Sequence, residues 1–239
     1  MSTIKADAIT AVTADTPVTI TGAGTGKVRL GDANLLWPDA DGGSSGDVLQ
    51  TNGSGTLSFA TPASGAWTLI GTALASGDAD LTITGITSTY ATYAVMLEDI
   101  IPGTNATQPY IRFGDSSGID SGASDYAWYY AYLRQRDSGW LFAKADNVAF
   151  IKINPEAIGD GTGDSYNAVA YLHPNHASTA GWSAIQGTQG YPGDAGGETN
   201  MGQWVGVRKA KITVDRIQLY MSSGTVASGR MSVWGIAHA

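Results

Sequence analysis

The 239-residue sequence contains no cysteine. That excludes disulfides and every zinc site built on thiolates, and it lets the chain fold in a reducing cytosol. Charge is scarce too. Asp, Glu, Lys and Arg make up 14% of residues, against roughly 25% in an ordinary soluble domain. The net charge is −8, so the basic face that nucleic acid needs is not expected. No run approaches the roughly 18 apolar residues of a membrane helix. Asp7 and the lack of an apolar run after Met1 speak against a secretory leader. The expectation is a protein made in the cytoplasm that leaves, if at all, by a route such as lysis.

Hydrophobic residues are present at an ordinary 43%, and Gly alone numbers 32. With abundant Ser, Thr and Asn, this is the composition of short strands joined by many turns. Aromatic residues divide the chain unevenly. Residues 1–62 hold only Trp37 and Phe59, and every other ring lies in 63–239. Large rings dominate core burial, so the expected organisation is an N-terminal segment, 1–62, followed by a compact domain, 63–239.

The N-terminal segment offers the strand-like stretches 17–21, 27–30, 47–51 and 56–60. The last two flank Asn52-Gly53-Ser54-Gly55, a turn signal, and predict a hairpin over 47–60. A lone hairpin is marginal in water. Leu35, Leu36, Trp37, Val48, Leu57 and Phe59 are therefore expected to bury against other copies of the chain, which would also pair the open strand edges.

The domain reads as all-β. Strands are expected at 81–84, 93–97, 126–136, 148–153, 167–172, 211–221 and 230–236. Within 211–221 the apolar phase changes between Val214 and Ile217, which predicts a bulge near Asp215-Arg216. In 230–236 both faces are apolar, so that strand is expected to be covered twice. Many short strands with Gly/Ser/Asp turns indicate a β-sandwich or jelly roll.

Two segments carry a resemblance. GSSGDVLQTNGSGTLSFAT (43–61), preceded by LLWPDADG (35–42), resembles a cassette common in bacteriophage tail fibres and head spikes. SGTVASGRMSVWGIAHA (223–239) is similar to the closing hairpin of a β-sandwich head found at the C-terminus of such fibres. WTLIG (67–71), 86–105 and YIRFGD (110–115) fit the same head. The resemblance implies a virion structural protein: a homotrimer whose N-terminal part meets other virion proteins and whose head binds a receptor. With one cassette and no collagen-like or coiled-coil stalk, a short spike is implied. No cofactor, nucleic acid or membrane insertion is expected.

Catalytic patterns are incomplete. Gly-Asp-Ser at 163–165 starts like an esterase nucleophile block, but it sits mid-chain and His238 has no Asp three residues before it, so a base there would lack its orienting acid. His173 and His176 are spaced by three residues around Pro174, with no third metal ligand nearby. DGTGD (160–164) lacks the repeated oxygen ligands of a calcium loop. Glycoside hydrolysis would need two placed carboxylates, and most Asp and Glu here sit in Gly/Ser turns. The stretch 173–204 reads as a long Gly-rich loop and is the main binding candidate. Trp182 and Tyr191 are expected to stack on a sugar face while Gln186, Asp194 and Asn200 bond its hydroxyls. The alternative is that the two rings pack the loop onto its own domain or a neighbouring subunit. The expectation is a non-enzymatic, glycan-binding fibre or spike head. A capsule-cutting hydrolase or esterase and a ligand-free decoration protein are the alternatives.

Overall fold

The computed structural model describes residues 29–30, 35–36, 46–54, 56–61, 65–161, 163–175, 181–192 and 199–237. The chain divides into two units, Met1–Ser64 and Gly65–Ala239. Among the described residues every regular element is a strand.

In the first unit β1 (Arg29–Leu30) pairs antiparallel with β2 (Leu35–Leu36). The next pair is β3 (Val48–Thr51) and β4 (Leu57–Ala60), with Val48 opposite Ala60 and Thr51 opposite Leu57. Asn52 organises the connection. Its side-chain Oδ1 accepts from the backbone N–H of Ser54 (2.8 Å) and Thr56 (3.1 Å), the local bonding that makes Asn a turn residue. Leu57 is buried, whereas Val48 and Leu49 are 47% and 40% exposed. The expected strand at 17–21 and Trp37 lie outside the described residues.

The second unit holds two sheets. Its strands are β5 (Trp67–Leu74), β6 (Asp80–Thr84), β7 (Thr92–Pro102), β8 (Pro109–Asp115), β9 (Gly118–Ile119), β10 (Tyr126–Arg134), β11 (Leu141–Val148), β12 (Ile151–Lys152), β13 (Tyr166–His173), β14 (Ala184–Pro192), β15 (Thr199–Arg208), β16 (Arg216–Met221) and β17 (Val226–Ile236). The larger sheet runs β11-β10-β15-β14-β13-β7-β17-β5. The smaller runs β12-β8-β16-β6, with β9 paired to β8. All of these pairings are antiparallel.

Alternation builds the core. Val95 and Leu97 of β7 and Met231 and Val233 of β17 point inward from the larger sheet. Leu81, Ile83, Ile111, Phe113, Ile217 and Leu219 come from the smaller one, and all belong to one buried cluster. Three expectations need correcting. Residues 148–153 are not one strand. Val148 ends β11 in the larger sheet, and Ile151 opens β12 in the smaller one, opposite Ile111. The chain changes sheets over Ala149-Phe150, where Phe150 stacks on Tyr110 (centroids 4.0 Å apart) and Arg112 Nε donates to Ala149 O (2.9 Å). Next, the phase change near Asp215 is not a bulge inside one strand. Residues 211–215 are not in a strand, although Val214 is buried, and β16 begins at Arg216. Finally, 173–204 is not a long loop. It contains all of β14 and the first part of β15, paired from Ala184↔Val207 to Pro192↔Thr199. Its glycines misled the sequence reading because they serve packing. A Cβ on Gly187 would lie 2.6 Å from the Trp204 ring and 2.9 Å from Ala170 Cβ, distances that side chains do not tolerate in a packed interior.

Candidate functional site

Period-two alternation gives each strand of the larger sheet an inner and an outer set of side chains. An uncovered outer face would ordinarily be polar. Here it is not. Cross-strand partners align Tyr171 of β13, Gln186 of β14, Val205 of β15 and Tyr129 of β10 in one outward row, with Lys144 of β11 at its end. Two residues along, a second row holds Val169, Thr188, Gln203, Ala131 and Phe142. Between these side chains lies a depression of about 520 Å³. Tyr129 and Tyr171 are 42% and 38% exposed, so their rings are available to a ligand. Among the described residues lining the depression none is charged.

A second depression of about 490 Å³ shares Tyr129 and Val205 and extends over β11 past Lys144 and Asp146. The ammonium of Lys209 hydrogen-bonds Asp146 and holds its carboxyl below the usual carboxylate range. The far end of the trough is therefore an ion-paired rim, while its centre is rings and amides.

No family model, curated protein or solved structure matches the chain.

The residues expected to bind glycan are not brought together. Gln186 lies in the central row. Trp182, 49% exposed, precedes β14 and is fixed locally, because Asn175 Nδ2 donates to its carbonyl. Tyr191 and Asn200 are cross-strand partners on the inner face and are buried. Asp194 lies outside the described residues. Of the residues expected in oligomer contacts, Leu35 and Leu36 form β2, and Val48, Leu57 and Phe59 lie in β3 and β4.

The inner face carries polar groups of a different kind. The Tyr126 hydroxyl accepts from Phe113 N–H (2.9 Å) and sits 3.1 and 3.0 Å from the carbonyls of Phe113 and Asp120. Arg208 bridges Asp120 (2.8 Å) and Asp125 (3.2 Å) beside it. The Tyr166 hydroxyl lies 2.8 Å from both Ile153 O and Gln189 Oε1, and Gln189 passes the chain to Asn154 (3.1 Å). Tyr132 donates to Glu156 Oε1 (3.0 Å), which also receives Arg134 Nη1 (3.1 Å). Burial raises the hydroxyl pKa of Tyr126, Tyr130, Tyr166 and Tyr191 well above the ordinary tyrosine value. The Tyr126–Phe113 bonds join β10 to β8 across the two sheets, and the others tie the larger sheet to the loops around Asp120 and Ile153–Glu156, so that these buried polar groups are paired.

His238 lies outside the described residues. Ser165 accepts from Asn167 Nδ2 (3.2 Å) at the start of β13. Asp164 closes a turn on Gly161, accepting from its N–H (3.2 Å) and donating to its carbonyl (3.1 Å). His173 Nδ1 lies 3.3 Å from Thr92 Oγ1, and His176 lies outside the described residues. Among the described residues no cluster of three His, Asp or Glu is placed to hold a metal.

The ring and amide rows were missed because the alternation in β13 is inverted. Its inward residues are Ala168, Ala170 and Leu172, and two of its larger side chains, Val169 and Tyr171, face out. Val169 and Tyr171 alternating with Ala168 and Ala170 in mid-strand was the available signal. It reads ambiguously until the filling of the interior is known.

Proposed function

We propose that this chain is a bacteriophage virion protein, a short fibre or spike that binds host-surface glycan through its C-terminal head. The residues before position 63 form the anchoring and trimerising part, with β3 and β4 contributing a hairpin completed by sister subunits. The head is a β-sandwich of jelly-roll type, and the protein is not an enzyme.

The observation that carries the binding role is the outward face of the larger sheet. Tyr129 and Tyr171 stand exposed on either side of Gln186, Thr188 and Gln203 over an open depression. Aromatic rings offer a flat apolar surface with a polar edge. Beside them, amide and hydroxyl groups supply the few directional bonds that fix a ligand's orientation. Functional surfaces of this sort sit well on a rigid β scaffold. The virion role is supported by the cassette at 43–61. Exposed Val48 and Leu49 beside buried Leu57 give β3 and β4 apolar surface for sister chains.

Adsorption competition tests the reading. Purified protein preincubated with host cells should block attachment of the phage in proportion to its concentration. The Tyr129→Ala/Tyr171→Ala double variant should not block it. Unimpaired attachment at saturating protein would remove the receptor-binding role, and a monomeric mass for the full chain at micromolar concentration would remove the trimer.

A further inference from the structure

The trough says which glycans it can take, an inference that rests on the glycan-binding reading above. Across four adjacent strands, β13, β14, β15 and β10, the lining is uncharged. Gln186 and Gln203 each carry both a donor and an acceptor, and Thr188 carries a hydroxyl that does both. A sugar hydroxyl is likewise donor and acceptor at once, so such a set satisfies it without any ion. A carboxylate, sulfate or phosphate on the ligand would find no cation here. It would also lose its hydration, which is costly for an unpaired charge, against a protein of net charge −8. The nearest outward charges flank the centre without entering it. Asp146 is taken by Lys209, Glu98 by Arg230, and Lys144 stands beyond Tyr129 on the edge strand.

The spacing of the rings adds a length. Tyr171 and Tyr129 are three inter-strand steps apart in the same row, about 14 Å at ~4.8 Å per step. Two rings that far apart do not clamp the two faces of one sugar. They form separate platforms with Gln186 and Val205 between them. The trough runs across an open sheet face, so a chain can enter at one side and leave at the other.

We infer that the trough binds an internal stretch of an uncharged polysaccharide, laid across the strands with Tyr129 and Tyr171 as stacking platforms and Gln186, Thr188 and Gln203 bonding its hydroxyls.

The test uses the full chain against immobilised polysaccharides. One set is neutral (dextran, mannan, galactan) and the other anionic (alginate, polygalacturonate, hyaluronate). Binding should occur only within the neutral set and persist in high salt, because screening acts on charge pairs alone. Tyr171→Ala or Gln203→Ala should weaken it about tenfold or more, the size expected for losing one aromatic or amide contact. Lys144→Ala should leave it unchanged. Tri- and tetrasaccharide fragments of the bound glycan should compete, and its monosaccharide should not. Unchanged thermal melting of each variant separates lost contact from lost fold. Salt-sensitive binding to the anionic set that Lys144→Ala abolishes would overturn the uncharged class and leave a glycan-binding head intact. Equal competition by the monosaccharide would overturn the extended ligand. No binding to either set would sink the glycan reading together with this inference. A change in subunit number on Tyr171→Ala would do the same, by making the face an interface between copies.

Discussion

The inner and outer faces of the eight-stranded sheet are built from the same strands and use the same residue types, yet their rings sit in opposite surroundings. Tyr126 and Tyr129 are three residues apart in β10. One is fully buried and its hydroxyl meets the backbone of Phe113 and Asp120; the other stands 42% exposed with its ring open to solvent. Inward, Trp204 fits only because Gly187 has no side chain to meet its ring. Outward, Tyr171 meets no such complementary surface. An aromatic residue therefore says little about role until its face is known. Buried Tyr126 and Tyr166 have bonded hydroxyls, whereas exposed Tyr129 and Tyr171 flank Gln186, Gln203 and an open depression.

The largest expected contrast between the faces is their response to alkali. A buried tyrosine whose pKa is raised by folding binds its proton more tightly in the native state. Its stabilising share is complete below pH 10, the value of an unfolded tyrosine, and is lost as pH climbs through the folded value. Tyr220 on the smaller sheet is pushed up to about 12 by burial, and inner-face Tyr126, Tyr130, Tyr166 and Tyr191 are raised further. Circular dichroism against pH should show stable sheet to pH 10 and cooperative loss above it. A fold unchanged well past pH 12 would mean that the inner rings are not buried.

Among single substitutions, Trp204→Ala should cost most. Removing a buried indole leaves a cavity worth about 3–5 kcal/mol, readable as a lowered urea midpoint. Tyr126→Phe keeps the ring and strands the Phe113 N–H, so about 1–3 kcal/mol is expected. Equal stability of Tyr126→Phe and the parent protein would show that water replaces the hydroxyl. Smallest is Tyr171→Ala on the outer face, within about 0.5 kcal/mol as for other exposed sites, while attachment to host cells falls. If Tyr171→Ala destabilised the fold as much as Trp204→Ala, the outer face would be core covered by something else.

Much of the fold was legible. Period-two patterns in 81–84, 93–97 and 167–172 marked strands that form, and the aromatic run at 126–136 is β10, ending at Arg134. Misreadings arose where a local signal served a distant partner. Gly187 and Gly202 looked like loop because what they accommodate, Trp204 and Tyr132, is supplied by packing across strands. The 148–153 run looked like one strand because nothing in its own residues records that the chain changes sheets there. Of the residues expected to bind sugar, Gln186 lies on the outer face, while Tyr191 and Asn200 point inward from positions of the other parity.

By itself the sequence determined that this chain forms antiparallel sheet, because alternation and turn residues act over a few positions and need no partner. It also determined that the protein would carry little charge. Which face of each strand became interior was decided only when the two sheets met. That choice depends on how the volumes of Trp204, Gly187, Ala170 and Val95 sum across four strands, a quantity no single stretch of chain contains. The outward rows of rings and amides are the side chains of the other parity, left outside by that same choice.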